Sequence, residues 1–229
     1  MRFFLLLLFF PAAVLSQSVF NDAEKLYKAE KYLQSKTLFE QNLKANPNHL
    51  KTIEYLGDIQ SHFQNWDQAI VFYEKLKTVN PKVADYQYKY GGALAMIAAQ
   101  SNKLKALTMI NDIESSFQNA ITYNPKHIEA RWALIEFYLQ LPGFFGGSES
   151  KATRYANELF ALSPVDGYLA KGHISEYFKR FPSAESYYKK AIQTGHSKTT
   201  YQKLANLYKN KMNQPEKAAQ LMEDFSKKG

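Results

Sequence analysis

The sequence predicts an all-α chain, a right-handed superhelix of stacked antiparallel helix hairpins, on three observations. Pro47, Pro81, Pro125 and Pro164 follow Asn46, Asn80, Asn124 and Ser163 at the ends of apolar-periodic segments. A residue that cannot donate the next backbone bond stops a helix there. Their spacings are 34, 44 and 39 residues, a helix-hairpin period of about 34 taken once alone and twice with insertions. Small and aromatic residues also recur at fixed offsets inside each period. With 45% hydrophobic and 22% charged residues the chain can bury a core. The absence of cysteine excludes disulfide frameworks, thiolate metal sites and cysteine nucleophiles.

In chain order, Met1-Arg2 is a short positive start, Phe3 to Phe10 is an unbroken apolar run, and Val14-Leu15-Ser16 precede Gln17. This is the anatomy of a signal peptide over residues 1–16, too short to span a bilayer as a helix and expected to be cleaved. Its loss leaves a single array over residues 17–229 with a net charge of +7. The first hairpin, about 16–49, carries Ala23, Leu26, Tyr32, Phe39 and Leu43. The second, 50–83, carries Leu56, Gly57, Trp66, Ala69, Tyr73 and Leu76. Gly57 and Ala69 let the two helices approach, and the larger side chains fill the space between hairpins. The third, 84–127, holds Gly91, Phe117 and Ala120 around ten extra residues near Ala99 to Thr108, expected to lengthen each helix by about five residues. The fourth, 128–164, holds Ala130, Leu134, Tyr138 and Ala152, with a turn insertion from Leu141. The fifth, 165–198, holds Gly172, Phe181, Ala184, Tyr188 and Ala191, and residues 199–229 read as a degenerate, solvating cap.

From about residue 16 to 198 this pattern resembles a tetratricopeptide repeat array of five to six repeats. Leu56-Gly57, Ala69, Tyr73 and Pro81 match positions 7, 8, 20, 24 and 32 of the repeat; Ile113 and Ile135 depart from small-residue positions. The resemblance implies a protein-interaction scaffold whose first helices line a concave groove through positions 2, 5, 9, 12 and 13 of each unit. Those positions include Glu24, Glu54, Asp58, Asp85, Glu129, Glu136, Asp166 and Glu176, against Lys28 and Lys51 alone. An acidic groove on a basic protein is suited to a basic protein or peptide partner, anchored on Tyr88 and Trp132. Glu54, Asp58, Tyr88, Trp132 and Glu136 are therefore the candidate contact residues. Where some members of the family hold a partner's C-terminal carboxylate with Lys and Asn, this chain has Glu54 and Asp58, which would repel it.

The fourth-hairpin insertion contains Gly143, Gly146 and Gly147, and Ser148 is placed to cap the helix that begins at Glu149. Phe144 and Phe145 form a secondary candidate patch, either folded onto the array or exposed as an anchor. A rival reading is an assembly or chaperone-like subunit that docks on a membrane machine through this loop, the long third hairpin or the basic convex face. The histidines, His49, His62, His127, His173 and His196, make no metal-ligand spacing, and no serine lies in a nucleophile motif. The chain is therefore read as a non-enzymatic, exported scaffold, periplasmic or secreted, with no cofactor and no nucleic-acid partner.

Overall fold

The computed structural model describes the backbone of residues 10–228 and the side chains of residues 17–227. The described residues form helices only, joined by turns: α1 (Phe10–Lys28), α2 (Tyr32–Ala45), α3 (Leu50–His62), α4 (Trp66–Val79), α5 (Ala84–Gln100), α6 (Lys103–Tyr123), α7 (Ile128–Gln140), α8 (Glu149–Leu162), α9 (Pro164–Tyr177), α10 (Phe181–Gly195), α11 (Lys198–Asn210) and α12 (Pro215–Lys228). Most of the expected signal segment lies outside the described residues; of residues 10–16 only the backbone is described, as the start of α1. No helix among the described residues is long and apolar enough to cross a membrane.

The chain divides into two compact units, Met1–Asn119 and Ala120–Gly229, with the boundary inside α6. In the first, Phe39 of α2 stacks on Tyr55 of α3 at 4.8 Å between ring centroids, beside Ala23, Leu56 and Ile59. Ile53, Ala69, Tyr73, Leu76 and Ala93 close the next layer. In the second, Leu169, Ala184, Tyr188, Ala191, Leu204 and Leu207 form the centre. The glycine at the eighth repeat position has the same function in both. A methyl on Gly57 would lie 2.6 Å from Cε1 of Tyr73, and one on Gly172 would meet the ring of Tyr188. The second and fifth hairpins therefore seat their tyrosines against bare backbone.

Three turns between the helices of a hairpin share one geometry. Glu30, Gln64 and Lys179 are left-handed, at φ 58°, 58° and 57°. The N–H of the next residue reaches back five positions, Lys31 to Leu26, Asn65 to Gln60 and Arg180 to Ser175. This is a Schellman stop with an ordinary side chain in the place usually taken by glycine. The two hairpins with insertions turn otherwise. In the third, α5 has 17 residues and α6 has 21, against 13 in α3 and 14 in α4; the added length falls mostly on the second helix rather than equally on both. In the expected cap, α11 and α12 form a last hairpin, with Leu204, Leu207, Tyr208 and Ala218 buried.

Candidate partner-binding faces

Glu54 and Asp58 stand one turn apart on α3, and Lys89 of α5 reaches between them. Its Nζ lies 2.6 Å from Glu54 Oε1 and 2.7 Å from Asp58 Oδ2, and the side chains of Lys89, Glu54 and Asp58 are only 22%, 14% and 22% exposed. Lys51 takes the other Glu54 oxygen at 3.0 Å, and the Tyr73 hydroxyl donates to Asp58 Oδ1 at 2.8 Å. Burial works against charge on both Lys89 and Glu54, but the pairing outweighs it. The ammonium is held above its ordinary pKa and the Glu54 carboxyl below its own. The expectation of an acidic face is therefore modified in the first unit: its two central carboxylates are tied to a lysine that occupies none of the five groove positions. The signal was a Lys 35 and 31 residues beyond two carboxylates one turn apart, a repeat length away on the next first helix. Glu24 of α1 accepts from Lys28 at 2.9 Å and from the Tyr55 hydroxyl at 2.7 Å. Tyr88 is half-buried on α5, its ring 6.0 Å from Phe117.

In the second unit, Trp132 and Glu136 of α7 both reach α9. The indole N–H of Trp132 donates to Asp166 Oδ1 at 3.0 Å, and the Ser163 hydroxyl donates to the other Asp166 oxygen at 2.6 Å. Glu136 Oε1 lies 2.6 Å from His173 Nε2, and its side chain remains 47% exposed. His173 holds the Glu136 carboxyl below the ordinary range although burial opposes this. The Tyr188 hydroxyl donates to Glu176 Oε2 at 2.8 Å, the same kind of bond that Tyr73 makes to Asp58 in the first unit. Trp132 packs partly against the core around Leu169, so its ring is fixed from two sides. Among the described residues no group of three or more His, Asp or Glu is placed to hold a metal ion.

The fourth-hairpin turn resolves the two readings of its phenylalanines. Gly143–Phe145 form a single 3-10 turn, Gly146 is left-handed at φ 100°, and Gly147 is pressed beneath the Leu141 carbonyl. The Ser148 N–H donates to the Tyr138 carbonyl at 3.0 Å and its hydroxyl caps α8 by accepting from the Lys151 N–H. This bracing lifts the Phe144 ring outward. Phe144 is 82% exposed and projects from the array, while Phe145, 4.2 Å from it, is 38% exposed with most of its surface covered.

The hairpins, their glycine–tyrosine seats and their turns define a tetratricopeptide-repeat fold. Solved structures with this fold superpose on the chain. A thermophilic tetratricopeptide protein of Thermus thermophilus, TTC0263, matches with a TM-score of 0.67 at 18% identity, covering 84% of this chain and 98% of its own. MamA matches with a TM-score of 0.60 at 21% identity, covering 81% and 94%. YrrB, a tetratricopeptide protein with an unusual peptide-binding site, matches with a TM-score of 0.55 at 16% identity, covering 80% and 87%. The model of the plant-specific mitochondrial import receptor subunit TOM20 family matches residues 62–162, under half of the chain. No curated protein matches the sequence.

Proposed function

We propose that the chain is an exported, non-enzymatic scaffold, periplasmic or secreted, that binds a protein or peptide partner on its first-helix faces. The tetratricopeptide fold supports a protein-interaction scaffold in general, and YrrB carries a peptide-binding site on the same fold. The observation that carries the finer reading is the preorganised set on α7 and α9. Trp132 is pinned by Asp166, and Glu136 is aligned by His173 while half its surface remains open to solvent. A rigid aromatic beside an oriented carboxylate is the combination that interface anchors use, because little side-chain entropy is lost on binding. Glu54, Asp58 and Tyr88 form a separate candidate contact set within the first unit. There a basic partner competes with Lys89 for the carboxylates, so aromatic contacts contribute more of the affinity.

The test is an array of basic and neutral peptides probed with the chain and with Glu136→Gln over a range of salt. Binding of basic peptides that weakens with salt and falls about tenfold in the variant supports the reading, since Glu136 retains its charge on a half-exposed surface. Equal binding by both proteins removes Glu136 from the site.

A further inference from the structure

Consecutive helices of the second unit run antiparallel, so the α7–α8, α9–α10 and α11–α12 turns emerge on one edge of its hairpin stack. The ion pair between Arg180, after α9, and Glu149, at the start of α8, ties two of these turns together. The edge has an unusual composition. Residues 141–147 contain no charge and carry Phe144 at 82% and Phe145 at 38% exposure, and the neighbouring turn presents Tyr177 and Phe178 at 42% and 40%. The three turns and the helix ends beside them carry Lys151, Lys179, Arg180, Lys209, Lys211 and Lys217, against Glu149, Glu176 and Glu216. Aromatic rings that protrude from a braced tip, on an edge whose turns carry twice as many cations as carboxylates, match a bilayer interface, where rings sit at headgroup depth and Lys and Arg meet anionic headgroups. A protein pocket would require a concave counterpart for two rings on a convex 3-10 turn, whereas lipid deforms around them. The carboxylates of the binding faces take no part.

We infer that this edge is a docking surface for anionic phospholipid membranes, with Phe144 and Phe145 as the inserting tip. The inference is independent of the partner site, which lies on other faces. The backbone at Gly147, pressed against the Leu141 carbonyl, fixes the angle of the tip, so insertion needs no refolding of the loop. Lys179 and Arg180 then lie at headgroup level beside Phe178, over which the Arg180 guanidinium already sits at 5.1 Å.

The chain contains no cysteine, so a single introduced thiol reports one place. Gly143→Cys has open space around its side chain and keeps both phenylalanines; it is labelled with an environment-sensitive fluorophore. Lys126→Cys, in the turn at the opposite end of the hairpins, is the control. Both are mixed with vesicles of phosphatidylcholine, with and without phosphatidylglycerol. The expected result is a blue shift at residue 143 with the anionic vesicles alone and none at 126. Phe144→Ser with Phe145→Ser should abolish it. Lys179→Glu with Lys211→Glu should weaken it about tenfold or more; Glu30 holds the left-handed turn geometry that Lys179 has, so glutamate fits at residue 179, and an unchanged far-ultraviolet circular dichroism spectrum checks the fold of the double variant. Because the apolar N-terminal segment is common to all variants, it cannot produce a difference confined to one label. No shift at 143, equal shifts at 143 and 126, or equal shifts with neutral vesicles would overturn the inference. So would a shift produced by lipid-free protein extract and not by vesicles, which would assign the edge to a protein.

Discussion

Lys89 determines how the first unit's face behaves. Its ammonium joins α3 to α5 through Glu54 and Asp58, and removing it leaves two partly buried carboxylates facing each other. Lys89→Met is expected to cost ~2 kcal/mol, between the values for exposed and fully buried pairs. Adding Glu54→Gln and Asp58→Asn should recover most of it, which chemical denaturation of the four proteins measures directly. The glycine seats make a separate prediction. Gly57→Ala drives a methyl into Tyr73, whose hydroxyl is held by Asp58, and should destabilise by roughly 1–3 kcal/mol through overpacking. Tyr73→Leu should make the same alanine tolerable, a coupling that a double-mutant cycle reads. The small and aromatic positions were legible from residue type and spacing alone. Lys89 could not be read from its own place in the repeat, because its signal lies one repeat length away in the spacing to Glu54 and Asp58.

At the scale of elements, the three Schellman turns hold Glu30, Gln64 and Lys179 in a left-handed conformation that disfavours any side chain. No glycine stands at these positions to signal the geometry; the regularity of φ across the repeats reveals it. Gln64→Gly should therefore stabilise the protein by ~0.5–1 kcal/mol, less than the full steric relief because glycine also frees the unfolded chain. A fall in melting temperature would mean the turn is not left-handed in solution. Ser148 was legible as a cap, since a hydroxyl before Glu149 has the right identity and position. The tilt of Phe144 and Phe145 was not, since it arises from Gly147 lying under a distant carbonyl. The unequal lengthening of α5 and α6 was likewise not legible, because a polar segment without a breaker does not show where its turn falls.

For the whole molecule, the carboxylates give a consistent response to pH. Glu24, Glu54, Glu136 and Glu185 are all held below the ordinary glutamate value of 4.5, through lysine, histidine or tyrosine partners that outweigh burial. A depressed folded pKa contributes stability that is present above the unfolded value and is lost as pH falls through the folded one. Thermal stability should therefore drop as pH is lowered below about 4.5, and Glu54→Gln should flatten that slope, as melting curves across pH will show. The net charge of +8 steepens the fall by self-repulsion once the carboxylates are neutral. The central claim is that partner binding resides on the first-helix faces. Affinity capture from envelope extract tests it most directly, using the chain, a variant with Glu136→Gln and Trp132→Phe, and a variant with Phe144→Ser and Phe145→Ser. One protein retained by the chain and the loop variant but lost by the face variant is the predicted result. Retention by all three, or loss from the loop variant alone, would contradict it.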